Sequence, residues 1–255
     1  MNDTTIPSAL RAFFEAHPRL ALAFSGGVDS SYLLCAALAC GADVTAYYAR
    51  SAFQPAFERE DARRLAAQLG ARLRQVPLDV LSVDAVRANP ADRCYHCKRA
   101  IFSALMDAAA ADDYTAIMDG TNASDDAGDR PGMKALRELQ VLSPLRACGI
   151  TKAQVREYSR QAGLFTWSKP AYACLATRVP AGREITAALL ERVEAAEGAL
   201  FGMGFSDFRV RVYGEAARLQ LPAGQLERAL EARREIRAAL KPWFEIALLD
   251  LEDRG

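Results

Sequence analysis

A turn rich in glycine and serine lies between an apolar run and a helical pattern near the start of the chain. Residues 25–31 read Ser-Gly-Gly-Val-Asp-Ser-Ser, after the run Leu-Ala-Leu-Ala-Phe at 20–24 and before the apolar stretch 32–38. Glycines let a backbone pass close to a phosphate, and a helix start offers unpaired N–H groups and a positive dipole end. The pattern therefore predicts a strand, an anion-binding turn and a helix.

The side chains of this turn suit a pyrophosphate group. Ser25 and Ser30 add hydroxyl donors to the backbone around Gly26 and Gly27, and Asp29 can hold the Mg²⁺ that accompanies phosphates. No Gly-Lys-Ser/Thr sequence follows, so the turn is not a Walker loop. The alternative is an ordinary turn in which Asp or Ser caps the helix.

The turn resembles the PP-loop of the ATP pyrophosphatase superfamily, whose members cleave ATP between the α and β phosphates. The resemblance implies a HUP-like fold, binding of Mg²⁺-ATP, and adenylation of a substrate with release of pyrophosphate.

Short apolar runs alternate with helical patterns over the first two thirds of the chain. The strand candidates are 20–24, 44–49, 73–78, 116–119 and 141–143, and the helical patterns are 56–69, 99–110 and 152–162. This alternation predicts an α/β fold, a doubly wound parallel sheet over residues 1–166.

The periodicity changes after this region. Residues 167–183 are punctuated by Pro and Gly, which predicts an active-site loop or linker that carries Cys174. Residues 184–255 show helical patterns at 186–200 and 225–240 and strand candidates at 208–213, 217–221 and 244–249. They predict a small α+β domain, to which we assign substrate binding and assembly.

The loop after the fourth strand candidate carries several polar residues. Asn122, Asp125 and Asp126 follow Asp119 and lie at the same sheet edge as the turn at 25–31 if the sheet is parallel. Topology therefore makes Asn122 and Asp125 candidates for adenosine or Mg²⁺ contacts. An ordinary Asx-rich turn explains the same residues equally well.

Composition bounds the class of protein. Among 255 residues, 32 basic residues balance 32 acidic ones, which gives no support for a nucleic-acid-binding surface. No window has the sustained apolar length of a membrane span, and the first twenty residues lack a signal-peptide core. Six cysteines do not make a disulfide scaffold in a chain of this length. We expect a cytoplasmic protein.

A Cys-x-x-Cys pair, Cys94 and Cys97, precedes a helical pattern. A helix start holds the two thiols on one side of a turn, and its dipole, with Lys98 and Arg99, favours thiolates. Thiolates bind metals or attack electrophiles. A redox disulfide and half of a metal site both fit this pair by itself.

A third cysteine, Cys174, lies between prolines on an irregular segment. This placement is unusual for a core cysteine, although packing remains an alternative. Arg178, four residues on, can stabilise a thiolate or a phosphate.

Arg209 and Arg211 alternate with apolar residues. Period-two alternation predicts a strand with both guanidiniums on one face, which suits a phosphate, although a half-exposed strand with solvated charges gives the same pattern.

Four blocks occur in an order and at spacings that resemble the LarE family of ATP-dependent sulfur transferases. They are the turn at 25–31, Arg-Cys-Tyr-His-Cys-Lys at 93–98, Asp-Gly-Thr-Asn at 119–122, and Lys-Pro-Ala…Cys-Leu-Ala-Thr-Arg at 169–178. The family makes the nickel-pincer nucleotide cofactor of lactate racemase. The resemblance implies that Arg209 and Arg211 hold the substrate phosphate and that Glu197 matches a functional glutamate. Gln220 stands where the family often has Glu, so the role of a carboxylate there is open.

The resemblance also implies a reaction. The substrate would be pyridinium-3,5-biscarboxylic acid mononucleotide, a small-molecule nucleotide whose carboxylates are adenylated and converted to thiocarboxylates. Either Cys94, Cys97 and Cys174 hold a [4Fe-4S] cluster that carries the sulfide, or Cys174 gives up its own sulfur and becomes dehydroalanine. Because all three cysteines are present, we favour the cluster.

Other classes of protein use parts of this pattern. A PP-loop tRNA thiolase would use the same three cysteines but should carry a basic face or zinc modules, and an amide-forming synthetase would not need Cys174. A nucleotide sensor with structural zinc on the three cysteines is the non-enzyme alternative. The family resemblance implies a homo-oligomer that acts beside nickel-inserting and carboxylating enzymes, with no nucleic-acid or membrane partner.

Overall fold

A computed structural model describes residues 6–125 and 131–254. Its α-helices are α1 Ser8–Ala16, α2 Val28–Ala39, α3 Ala56–Leu69, α4 Asp84–Arg87, α5 Arg93–Ala110, α6 Pro131–Glu138, α7 Pro144–Ala147, α8 Lys152–Gln161, α9 Ala187–Gly202, α10 Leu226–Glu231 and α11 Arg233–Leu240. Its strands are β1 Arg19–Ala23, β2 Asp43–Arg50, β3 Arg72–Pro77, β4 Ile117–Met118, β5 Arg209–Tyr213, β6 Ala216–Gln220 and β7 Ala247–Leu249.

The chain divides into two compact units. The first unit comprises residues 1–51, 56–80 and 92–169, and the second comprises residues 52–55, 81–91 and 170–255. Two short segments from the first half of the sequence, 52–55 and 81–91, thus pack with the C-terminal third.

The first unit is built on a parallel sheet of four strands in the order β3-β2-β1-β4. The middle strands β1 and β2 are buried over most of their length, as expected for a parallel sheet covered on both faces. Most of α2 is buried as well. The predicted α/β class with a parallel sheet is confirmed, and the order places the carboxyl ends of β1 and β4 side by side at the sheet edge where ligands commonly bind.

The predicted fifth strand at 141–143 is wrong. In the described part of the chain, this run forms a single isolated parallel bridge, between Met118 and Leu142. Ser143 instead precedes α7, whose first residue, Pro144, lacks the N–H group that a strand would need there. The run is therefore too short to extend the sheet beyond β4.

The second unit holds a three-stranded sheet in the order β5-β6-β7. β5 and β6 form an antiparallel hairpin through Gly214, whose φ of 56° lies in the left-handed region, and β7 pairs with β6 in parallel. The helical pattern predicted over 225–240 divides into α10 and α11 at Ala232, where no glycine or proline encodes a break. In the described part of the chain, no helix is both long and apolar enough to cross a membrane.

Candidate functional site

The turn between β1 and α2 has a backbone shape that requires glycine. Gly26 has a φ of 73°, and a Cβ on it would lie 3.1 Å from the Cα and Cβ of Ala62. Both the left-handed conformation and the close approach of α3 therefore exclude a side chain here. Gly27 caps α2 with ordinary extended dihedrals, so its lack of a side chain leaves space rather than relieving strain.

Serine hydroxyls hold this turn together with long hydrogen bonds. The Ser30 Oγ accepts from the Ser25 N–H at 3.3 Å and donates to the Gly27 carbonyl at 3.2 Å, and the Ser25 Oγ accepts from the Gly27 N–H at 3.3 Å. The two hydroxyl oxygens lie 3.1 Å apart. These weak bonds hold the turn at the start of α2, where an anion would meet the helix N-terminus.

Asp29, in the first turn of α2, contacts the loop after β4 and the start of α8. The Asn122 Nδ2 donates to the Asp29 Oδ1 at 3.2 Å, and the Lys152 ammonium forms an ion pair with the Oδ2. Sequence analysis missed Lys152. The sequence pattern could have indicated it. Thr151 and Gln154 form a capping box, which places the start of α8 at Lys152, directly after a loop of the same sheet edge.

The loop after β4 approaches α2 very closely. A Cβ on Gly120 would lie 2.8 Å from the backbone N of Ser30, so only glycine fits. The buried Asp119 accepts from the Thr121 hydroxyl at 2.5 Å and from the Ser143 hydroxyl at 2.7 Å. Asp119 therefore organises the loop, and Gly120 brings it to the turn at 25–31.

Asn122 and Asp125 make an Asx turn while they face this edge. The Asn122 N–H donates to the Asp125 carboxylate at 2.8 Å, and the Ser124 N–H donates to the Asn122 Oδ1 at 2.8 Å. The structure thus brings Asn122 to Asp29 but uses Asp125 within its own loop. Their contacts with ATP or Mg²⁺ stay predictions, and Asp126 lies outside the described residues.

Cys94 and Cys97 belong to α5 rather than preceding it, since the helix begins at Arg93. Their i, i+3 spacing puts both on one side of the first turn. Cys94 is exposed, Cys97 is buried, and the Arg93 guanidinium lies 3.5 Å from the Cys94 Sγ.

Cys174 belongs to the second unit, on a segment of residues 171–177 that we call the Cys174 segment. It is partly exposed and precedes a 3₁₀-helix at Leu175–Arg178. The Leu175 N–H donates to the Phe53 carbonyl at 2.9 Å, so residues 52–55 support the segment.

Arg178 and Glu197 form a buried ion pair under the Cys174 segment. The Arg178 Nη1 donates to the carbonyls of Ala173 and Cys174 at 2.6 and 3.2 Å. Burial would lower the pKa of Arg178, but the hydrogen bonds and charge of Glu197 outweigh it, and the pKa is raised. The Arg178 guanidinium is thus directed at Glu197 and backbone carbonyls, which supports a positioning role, and its catalytic role stays a prediction.

Tyr172 completes this cluster, and sequence analysis missed it. Its hydroxyl donates to Glu197, which also accepts from the Val210 N–H at 2.9 Å. The guanidinium carbons of Arg178 and Arg209 lie 4.4 and 4.9 Å from the centre of its ring. Burial and the charge of Glu197 raise the pKa of Tyr172, so the phenol stays protonated.

Arg209 and Arg211 lie on β5, where their alternation places them on one face, and both reach the Cys174 segment. Arg209 donates to the Ala171 carbonyl at 2.8 Å, and Arg211 donates to the Thr177 carbonyl at 2.9 Å and to the Gln220 amide oxygen at 2.9 Å. Burial, then the charges of Arg178 and Arg254, lower the pKa of Arg209 to about 10. The pKa of Arg211 is lowered chiefly by burial.

The donor set for a metal cluster is divided between the units. Cys94 and Cys97 lie in the first unit and Cys174 in the second. Within residues 6–125 and 131–254, no group of three or more His, Cys, Asp and Glu side chains is placed to hold a metal ion. The three thiols suit iron in chemistry.

The parallel sheet and the loops at its carboxyl edge define an α/β protein with a HUP-like fold. No protein-family model matches the chain. It is 36% identical over 224 residues to pyridinium-3,5-bisthiocarboxylic acid mononucleotide synthase of Lactiplantibacillus plantarum. The aligned region covers 87% of this chain and 81% of the relative. The chain belongs to the family of this synthase, the LarE family, and is an enzyme.

Two further relatives are uncharacterized proteins. One, from Synechocystis, is 37% identical over 87% of this chain and 83% of its own length. The other, from Methanocaldococcus jannaschii, is 27% identical over 92% of this chain and 90% of its own length. The similarity therefore extends over both units of the chain.

Proposed function

We propose that the protein is an ATP-dependent sulfur transferase that converts the carboxylates of pyridinium-3,5-biscarboxylic acid mononucleotide to thiocarboxylates. The observation that carries the proposal is the 36% identity, over 87% of the chain, to a synthase named for the corresponding bisthiocarboxylic acid mononucleotide. The geometry of the two candidate sites supports a separate chemical role for each.

The first role is activation of a carboxylate. The turn at 25–31 would bind the phosphates of ATP, and Asp29 would hold Mg²⁺. A substrate carboxylate oxygen attacks the α phosphorus, the bond from that phosphorus to the bridging oxygen of the β phosphate breaks, and pyrophosphate leaves. The converged hydroxyls and the Lys152 ammonium beside Asp29 support this role, because each suits a polyanion.

The second role is sulfur transfer at Cys174. A sulfur nucleophile attacks the acyl carbon of the adenylate and AMP leaves with the bonding electrons. Arg209 and Arg211 would hold the substrate phosphate. This role is supported because both lie on one face of β5 and donate to uncharged carbonyl and amide oxygens.

The sulfur has two candidate sources. We propose a [4Fe-4S] cluster on Cys94, Cys97 and Cys174, which would supply a sulfide when bound, although the described residues show no three-ligand site. In the alternative, the Cys174 thiolate forms a thioester with the acyl group. Loss of the Cα proton then breaks the Cβ–S bond, which yields the thiocarboxylate and dehydroalanine at 174.

The test is a direct assay under anaerobic conditions. The protein is incubated with Mg²⁺-ATP and the dicarboxylate mononucleotide, and pyrophosphate and thiocarboxylate are measured. We expect both from the native chain, pyrophosphate alone from Cys174→Ala, and both from Cys148→Ala, a control cysteine of the first unit. Failure of the native chain to form thiocarboxylate from this substrate would contradict the proposal. We also propose that the enzyme is a cytoplasmic homo-oligomer that acts beside nickel-inserting and carboxylating enzymes.

A further inference from the structure

Guanidinium groups hold the Cys174 segment through its backbone carbonyls. Arg178 binds the centre of the segment at the Ala173 and Cys174 carbonyls. Arg209 and Arg211 bind the Ala171 and Thr177 carbonyls, which lie three residues on either side of Cys174. The segment is thus held at its centre by one arginine and at its flanks by two others.

The central and flanking arginines differ in how their charge is balanced. The Arg178 Nε and Nη2 donate to the two carboxylate oxygens of Glu197, at 2.8 and 3.0 Å. Arg209 donates to the Phe208 and Ala171 carbonyls and lies over the Tyr172 ring, and Arg211 donates to the Thr177 carbonyl and the Gln220 amide oxygen. Within the described ranges, neither flanking arginine has a carboxylate within ion-pair distance.

This difference decides which contacts an anion would replace. A partly buried cation that donates to neutral oxygens is less well compensated for its lost hydration than one that pairs directly with a carboxylate. A phosphate forms shorter and stronger charge-assisted bonds with arginine than a carbonyl does. Arg209 and Arg211 therefore favour a phosphate over their present partners, whereas Arg178 already has its counterion.

We infer that a phosphate group that binds Arg209 and Arg211 takes both guanidiniums from the Ala171 and Thr177 carbonyls. The flanks of the Cys174 segment are then released, while Arg178 still holds its centre. Arg209 and Arg211 would thus be positioning residues for Cys174 as well as phosphate ligands, and the flanks of the Cys174 segment would be more mobile with the substrate phosphate bound than without it. The inference rests on the phosphate role proposed above.

Other contacts limit this release. The Tyr172 hydroxyl still donates to Glu197, and the Leu175 N–H still donates to the Phe53 carbonyl. The Ala171 carbonyl also lies 3.4 Å from the Arg254 Nη2, but Arg254 is paired with the Asp207 carboxylate. Arg254 therefore has a counterion and a long, weak contact with the segment, and it is not expected to hold the flank when Arg209 leaves.

Hydrogen–deuterium exchange of the full chain tests the inference with inorganic phosphate as the probe. The peptide covering residues 171–178 contains the Leu175 and Thr177 amides, which donate to the Phe53 and Cys174 carbonyls. We expect phosphate to raise the exchange rate of this peptide saturably by about tenfold or more, as for loss of at least one bond to a charged donor. Sodium chloride at the same ionic strength should leave the rate unchanged.

Two variants separate the loss of a flanking arginine contact from the loss of any arginine that donates to backbone carbonyls. Arg211→Ala should show fast exchange without phosphate and little further response to it. Arg228→Ala is the matched control, because Arg228 also donates to backbone carbonyls, those of Met203 and Gly204, but outside the Cys174 segment. It should retain the native phosphate response.

Alkylation of Cys174 by iodoacetamide gives a second measurement, on the native chain without a bound cluster. Phosphate should accelerate alkylation of Cys174 and leave that of Cys148 in the first unit unchanged. Unchanged or slower exchange in phosphate, or a full response in Arg211→Ala, would overturn the inference. Sulfur transfer without a phosphate response refutes only this inference, whereas a phosphate response without sulfur transfer refutes only the proposed function.

Discussion

The guanidinium of Arg178 and the carboxylate of Glu197 form a bidentate ion pair, with Nε–Oε1 and Nη2–Oε2 distances of 2.8 and 3.0 Å, and both side chains are almost wholly buried. Because Arg178 also donates to the Ala173 and Cys174 carbonyls, this pair joins α9 to the backbone of Cys174.

Loss of the Glu197 charge should destabilise the second unit. Glu197→Gln leaves the Arg178 cation buried without a counterion, so the free energy of unfolding should fall by about 3 to 5 kcal/mol. The measurement is urea unfolding. Glu157→Gln is the control, since Glu157 pairs with Arg160 on the exposed face of α8 and its loss should cost about 1 kcal/mol or less. Equal losses in the two variants would show that burial of the Arg178–Glu197 pair has no energetic consequence.

A side chain at Gly27 should block pyrophosphate release without unfolding the protein. Gly27 has ordinary dihedrals, and a Cβ would meet only the Ser25 hydroxyl, at 3.3 Å, so Gly27→Val should fold. Its added methyl groups exclude a phosphate from the turn, and the rate of pyrophosphate release should fall by about a hundredfold or more. Gly198→Ala, at an open position of α9, is the control and should keep the native rate. A native rate in Gly27→Val would disprove the ATP-binding assignment of the turn.

Lys152 should contribute to ATP binding. Its ammonium reaches Asp29 from the start of α8, and loss of one charge-assisted contact to the phosphates should weaken ATP binding by about 10- to 100-fold in Lys152→Met. The measurement is the dissociation constant for Mg²⁺-ATP. Lys134→Met removes a lysine of α6 that lies over the Tyr95 ring, and it should bind ATP normally. Equal affinities in the two variants would limit Lys152 to pairing with Asp29.

Arg211 should affect capture of the substrate but not of ATP. Arg211→Ala should weaken binding of the dicarboxylate mononucleotide by about 1.5 to 3 kcal/mol, as expected for a bond between charged groups. Arg218→Ala on the neighbouring strand is the control, since Arg218 pairs with Asp250. Equilibrium binding of each ligand gives the comparison. A similar loss of ATP affinity in Arg211→Ala would reassign this arginine to the nucleotide.

The three cysteines should behave as a unit if they hold a cluster. Iron content after anaerobic purification should fall together with activity in Cys94→Ala, Cys97→Ala and Cys174→Ala, because a cluster with two protein ligands is not expected to persist. Cys148→Ala should retain iron. If Cys174 is instead the sulfur donor, the Cys94 and Cys97 variants keep one turnover. Mass spectrometry of the spent chain would then show dehydroalanine at 174, an outcome that would falsify the cluster.

Local pattern by itself determined the parallel sheet and the turn at 25–31. The strands β1, β2 and β3 and the helix α3 follow from short-range periodicity, and Gly26 occupies a left-handed position that its residue type allows. The shared face of Arg209 and Arg211 likewise follows from the period of a strand. These features depend on residues a few positions apart, which is why the sequence reveals them.

Only the tertiary structure decided which distant residues share an environment. Lys152 meets Asp29 across 123 positions, Gly120 lies against Ser30, and Phe53 supports Leu175. Tyr172 and Glu197 meet because β5 and α9 pack beside the Cys174 segment. The same packing directs Arg178 to Glu197 rather than to solvent. Such partners are set by chain topology and by the need to pair buried charges, and neither is encoded in local spacing.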